Sequence, residues 1–189
     1  MPVSVNALTT WERAKAVLGF SYDQQEEVEF LIDAVSSTAN RISGRKLRAR
    51  DYDDLRVDGS GSNTLLLPEY PIVSVTALYV DHTRIFSDDA LLDPSSFQVL
   101  PEVGMVRRYT GMFPPGIGIV KLMAKLGYSP VPEDLELAVL EGVSYNRRRL
   151  GSDTIGMRQI SVGGQVTSQY EIGLPLTVRE VFESYRRER

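Results

Sequence analysis

Apolar positions recur with a helical period at both ends of the chain and with a strand period in the middle. In residues 22–43 they fall every three or four residues, which predicts a long helix with one buried face. That face contains Val28, Leu31, Ile32, Val35, Ala39 and Ile42. A shorter helix is predicted over residues 10–18 and a third from Pro130 to Gly151, where proline and acids open the first turn.

Capping signals set the predicted ends of the first two helices. Thr9 with Glu12 and Ser21 with Gln24 have the spacing of a capping box, in which a side chain and a backbone N–H satisfy each other. Gly19 and Gly44 are the predicted stops, because glycine readily takes the left-handed conformation that ends a helix.

The period falls to two over residues 48–128. The predicted strands are 52–57, 64–67, 72–81, 97–100, 105–109 and 117–126. The polar run 58–63 predicts a hairpin that joins the first two strands. The sequence therefore predicts an α+β fold: a small bundle of three main helices with an inserted antiparallel β region. The predicted divisions are 1–47 with 129–150 for the helical core, 48–128 for the insertion and 151–189 for an extended C-terminal arm.

The arm ends in a short predicted helix with an apolar stripe. Pro175 fixes its entry, and Thr177 and Glu180 repeat the capping-box spacing. The predicted partner-binding residues are Leu174, Val178, Val181, Phe182 and Tyr185. Packing of this stripe on the chain's own helices is the alternative, since most terminal helices pack that way.

Composition narrows the function classes. The 189 residues include no cysteine, which excludes disulfides and thiolate chemistry, and the formal net charge of −4 does not indicate a nucleic-acid binder. No apolar run reaches the ~20 residues of a membrane span, and the first residues predict no secretion signal.

Candidate catalytic chemistry is sparse. His82 is the only histidine and is expected to be an exposed turn residue. The acids of residues 51–58 lack the spacing of a calcium loop, so a solvated or subunit-facing charge set is expected. We therefore predict no catalytic residue, no metal and no cofactor.

Basic residues form two groups. They are Arg41, Arg45, Lys46, Arg48 and Arg50 after the long helix, and Arg147, Arg148 and Arg149 at the end of the third. In a monomer each group is a solvated face that complements a helix dipole. In a ring the same groups would repeat around a channel and could face DNA phosphates without reading sequence.

Four segments, in this order, resemble the head–tail connector (adaptor) proteins of tailed bacteriophages. They are residues 8–19 (LTTWERAKAVLG), 39–45 (ANRISGR), 65–75 (LLLPEYPIVSV) and 127–135 (GYSPVPEDL). The resemblance covers residues 5–150 well and the tail more loosely. It implies a structural protein, not an enzyme, that forms a ring, typically dodecameric, below the portal and extends the DNA channel.

The same resemblance implies the partners: the portal protein, a neck or tail-completion protein, further copies of the chain and, non-specifically, genomic DNA, but no membrane. The expected location is the head–tail junction of the virion, after assembly in the host cytoplasm. By analogy with relatives, the C-terminal stripe would anchor in the portal. The alternative function is a nucleic-acid-binding regulator that uses the arginine-rich groups.

Overall fold

The computed structural model describes residues 3–151, 159–162, 165–169 and 173–187. The chain divides into two compact units. Unit 1 consists of the described residues of Met1–Arg45 and Val131–Arg189, and unit 2 is Lys46–Pro130.

Four helices belong to unit 1. They are α1 (Trp11–Leu18), α2 (Gln25–Ser43), α3 (Glu133–Gly151) and α4 (Leu176–Ser184), and a 3-10 turn over Tyr22–Gln24 precedes α2. The three main helices predicted from the sequence are therefore present, and the predicted C-terminal helix is α4.

Six strands belong to unit 2. They are β1 (Arg50–Gly59), β2 (Thr64–Leu66), β3 (Ile72–Val80), β4 (Phe97–Leu100), β5 (Met105–Arg108) and β6 (Gly116–Leu126). A further antiparallel pair, β7 (Gln159–Val162) and β8 (Gln165–Gln169), follows α3 in the chain. The mixture of helices with antiparallel sheets confirms the predicted α+β class.

The start of α1 differs by one residue from the prediction. Its N-cap is Thr10, whose hydroxyl oxygen accepts a hydrogen bond of 3.2 Å from the N–H of Arg13. Thr9 is 2% exposed and its hydroxyl instead donates to Oε1 of Glu136 on α3, at 2.8 Å. The capping box predicted at Thr9 is therefore wrong, because a tertiary contact engages that side chain.

The predicted helix stops are confirmed. Gly19 and Gly44 have φ angles of 70° and 73°, in the left-handed region that glycine adopts without strain. Their N–H groups donate to the carbonyls of Lys15 and Asn40. The Ser21 N–H also donates to Oε1 of Gln24 at 3.2 Å, as the predicted capping box requires.

The core of unit 1 lies where α2, α3 and α4 pack together. The predicted face of α2 is buried from Val28 to Ala39, whereas Ile42 at its end is only half-buried. Gly142 on α3 permits the close approach, because a Cβ there would lie 2.9 Å from Cγ1 of Val35 on α2 and 3.3 Å from Cδ2 of Leu174.

Unit 2 contains two antiparallel sheets, in the orders β1-β6-β3 and β2-β5-β4. The predicted hairpin between the first two strands is therefore wrong: β1 pairs with β6, and β2 pairs with β5. Gly59 at the end of β1 lies so close to the loop before β6 that a Cβ would be 1.8 Å from the Pro114 carbonyl oxygen. Residues 60–63 thus carry the chain from one sheet to the other.

Candidate interaction surfaces

The predicted partner-binding stripe of α4 faces the interior of unit 1. Leu174, Val178 and Phe182 are 9%, 1% and 0% exposed, and Val181 and Tyr185 are half-buried. Because α4 packs on α2 and α3, the chain's own helices cover the apolar stripe. In the structure, α4 packs on the helices of its own unit, which was the alternative in the sequence analysis. A partner contact through these five residues stays a prediction.

Tyr185 fastens the end of α4 at two points. Its backbone carbonyl accepts a hydrogen bond of 3.0 Å from Nε of Arg45, which lies just beyond α2 and is 7% exposed. Its hydroxyl donates to Oδ1 of Asp134 at the start of α3, at 2.6 Å. A cation beside the last carbonyls of a helix satisfies an acceptor without an intrahelical partner and complements the helix dipole.

The predicted basic residues fall in both units. Arg41, Arg45 and the three arginines of α3 belong to unit 1, whereas Lys46, Arg48 and Arg50 belong to unit 2. Arg45 bonds to Tyr185 inside unit 1, and Arg147 lies 3.8 Å from a Glu27 carboxylate oxygen. Lys46, Arg48 and Arg149 are half-buried, whereas Arg41 and Arg148 are exposed.

Arg50 belongs to a polar cluster in unit 2. Its Nη2 lies 3.2 Å from Oε1 of Glu69, which is 7% exposed, and the Tyr52 hydroxyl donates to Oε2 of the same carboxylate. Burial, and then the hydrogen bond to Glu69, raise the pKa of Tyr52 to about 12. This cluster has a structural role, because its three polar side chains satisfy one another's hydrogen-bonding groups.

The sequence predicts a turn at His82 after β3, but the part that Asp81 plays in this loop was not found by the sequence analysis. The Asp81 carboxylate accepts hydrogen bonds from the backbone N–H groups of Thr83, Ile85 and Phe86 and from the Thr83 hydroxyl. Arg84 and Phe86 have φ angles of 62° and 56°, which side-chain-bearing residues rarely adopt. The loop holds Ile85 77% exposed and Phe86 8% exposed. The available signal was the Asp-x-Thr spacing, which favours a side chain that bonds to the backbone two residues on.

We expect Asp81→Asn to loosen this loop, because an amide has neither the charge nor the second acceptor oxygen of the carboxylate. Hydrogen bonds from the Phe86 N–H and from Thr83 lower the Asp81 pKa from 3.8 to about 2. A carboxyl group whose pKa is lower in the folded protein than in the unfolded chain stabilises the fold when it is ionised. The Asp81 carboxylate therefore contributes its full stabilisation above pH 3.8, and this stabilisation is lost as the pH falls toward about 2.

Amide hydrogen exchange of Ile85 and Phe86 measures this effect. Both amides should exchange faster in Asp81→Asn than in the wild type, whereas Asp88→Asn in the next exposed turn is the matched control and should change nothing. Equal exchange rates in the wild type and Asp81→Asn would contradict the role given to this carboxylate. His82 is an exposed member of the same loop.

A groove of about 560 Å³ lies in unit 1 beside the ends of α2 and α3 and the start of α4. The lining residues are Ala34, Thr38, Arg41, Ile42, Asn146, Gly173, Leu174 and Arg179. Ile42, predicted to be buried, is half-buried because it forms part of this lining. Within the described residues, no Asp or Glu contributes to it.

The described parts of the chain contain no helix with the length and apolar content of a membrane span. In the same residues, no group of three or more His, Asp or Glu side chains is arranged to hold a metal ion. The four aspartates at residues 51, 53, 54 and 58 of β1 are exposed to solvent.

Comparison with known proteins gives a family and a fold. The model of a family described as "Head completion protein" matches residues 7–188. No curated protein matches the chain.

Solved neck structures share the fold. The neck of an empty gene transfer agent particle, computed with C6 symmetry, has a similar chain with a TM-score of 0.65 and 16% identity. Chains of the native neck computed with C12 symmetry and of the native virion have TM-scores of 0.60 and 0.63, each at 17% identity. Each match covers 100% of this chain and 95% of the other.

Proposed function

Because the chain belongs to the head completion protein family, we propose that it closes into a ring below the portal and joins the filled capsid to the neck or tail. The single observation that carries this proposal is the family match over residues 7–188, which includes both units. The chain is a structural head–tail adaptor, located at the head–tail junction of a phage-like particle. A role of this kind requires contacts between proteins and no catalytic group.

The symmetry of the similar neck structures supports the proposed ring. The similar chains come from necks computed with C6 and C12 symmetry, which supports a ring oligomer, and we propose twelve copies for this protein. A closed ring needs two different faces on each subunit, because its contacts are head-to-tail.

We propose the portal protein and a neck or tail-completion protein as the partners above and below the ring. Direct contact of the portal with Val178 and Phe182 would require α4 to leave α2 and α3, since both side chains are buried there. The exposed residues of the same segment are available without that rearrangement. Arg148 is an exposed member of the predicted basic set outside the groove lining; it would meet DNA in the channel, and any such contact would be non-specific.

Light scattering and electron micrographs of the purified full-length protein, alone and with purified portal, test the proposal. We expect closed rings, or rings seated on the portal. A protein that stays monomeric at high concentration and fails to bind the portal would overturn it. Sequence-specific DNA binding with a steep salt dependence would favour the regulator instead.

A further inference from the structure

The groove in unit 1 has an apolar floor and a cationic rim. Ile42 on α2 and Leu174 before α4 supply apolar side chains to the lining. Arg41 and Arg179 are both exposed and approach the groove from different helices. The volume of about 560 Å³ lies within the range of sites that enclose ligands or inserted side chains, roughly 300–1,000 Å³.

Among the described lining residues, no acidic side chain offsets the positive charge of the rim. In the part of the chain that the structure describes, Arg179 pairs with Glu183 on the same helix, at 3.8 Å between Nη2 and Oε1, and both side chains are about half exposed. Such exposed pairs contribute little and exchange readily for a better partner. The half-buried Asn146 adds an amide that can donate or accept.

We propose that this groove binds a short acidic segment of a partner protein, with one apolar side chain on the floor and carboxylates paired to Arg41 and Arg179. Guanidinium groups suit carboxylates because they can donate two parallel hydrogen bonds to them. The apolar floor favours a peptide over DNA, whose phosphate backbone offers nothing apolar to bury. The inference rests on the proposed function only in assigning the segment to a protein of the head–tail junction.

The first test uses a defined probe and the full-length protein. The capped pentapeptide Glu-Asp-Leu-Glu-Asp is titrated by NMR, beside Lys-Lys-Leu-Lys-Lys and a short DNA duplex. The acidic peptide should shift the amide signals of Ala34, Ile42 and Arg179, and its affinity should fall with added salt. If the duplex alone shifts those signals, or if none of the probes does, the inference is overturned.

Charge reversal is the sharper test. The double variant Arg41→Glu, Arg179→Glu should bind the acidic peptide with an affinity roughly tenfold or more below that of the wild type. It should bind the lysine peptide instead, because the charge complementarity is inverted. Arg148→Glu is the matched control: it removes an exposed arginine of unit 1 outside the groove and should leave both affinities unchanged. Equal weakening by Arg148→Glu would show a general charge effect and would contradict a groove site.

Ring formation distinguishes a failure of this inference from a failure of the proposed function. The double variant should still form rings of wild-type size but should join fewer capsids to tails. A wild-type protein that forms no ring contradicts the proposed function, whatever the peptide does. Rings that form normally while the acidic peptide does not bind contradict the groove alone.

Discussion

Replacing Phe182 with alanine is expected to destabilise the protein by about 3–5 kcal/mol, the usual cost of removing a buried phenylalanine. Its side chain is 0% exposed and lies on the face of α4 that packs against α2 and α3. The loss combines the transfer of the ring from water with the cavity left behind. Urea or thermal unfolding of the full-length protein measures it.

Leu176→Ala is the matched control on the same helix. Leu176 is 56% exposed, so its truncation should change the free energy of unfolding by less than about 1 kcal/mol. If Phe182→Ala also changes the free energy of unfolding by less than about 1 kcal/mol, α4 does not pack on α2 and α3 in solution. That result would support the sequence-based hypothesis that α4 binds a partner protein.

The stripe of α4 shows why the sequence could predict the helix but not its contacts. Apolar residues at helical spacing are the same for a helix that enters a partner's groove and for one that covers its own bundle. The decisive contacts are distant in sequence: Arg45 and Asp134 hold Tyr185. Nothing in residues 174–185 encodes those partners.

The same reason explains the outcome in unit 2. Most strand positions were predictable, because period-two alternation is local. The pairing was not: β1 takes β6 as its neighbour, more than fifty residues away in sequence, and not the adjacent β2. A polar run with glycines is compatible both with a tight hairpin and with a crossing between two sheets.

Charge also proved a weak guide to the role of single residues. Arg50 was predicted among basic residues for a DNA channel or a subunit contact, yet its guanidinium pairs with Glu69 inside unit 2. Arg41, from the same run, is exposed and lines the groove. Burial, which depends on the whole fold, separates these two arginines, and the sequence does not report it.

Glu69→Ala should therefore destabilise unit 2 by about 2–3 kcal/mol, because it removes the carboxylate that accepts from Nη2 of Arg50 and from the Tyr52 hydroxyl. The Glu69 side chain is 10% exposed and that of Arg50 is 33% exposed, so the cost is below that of a fully buried pair. Asp54→Ala is the control. It breaks the Asp54–Arg56 pair of β1, whose side chains are 56% and 48% exposed, and should cost less than about 1 kcal/mol.

The pH dependence of this variant provides a second, independent measurement. The Tyr52 pKa is raised to about 12, so its contribution is complete below the ordinary value of 10 and is lost as the pH rises from 10 toward about 12. Because the Glu69 hydrogen bond is one cause of the raised value, Glu69→Ala should lower the pKa of Tyr52, and the hydrogen bond from Arg50 that remains lowers it in the same direction. Ultraviolet titration, with Tyr52→Phe subtracted to isolate this phenol, measures the shift. An unchanged Tyr52 titration in Glu69→Ala would contradict the hydrogen bond and, with it, the structural role assigned to Arg50.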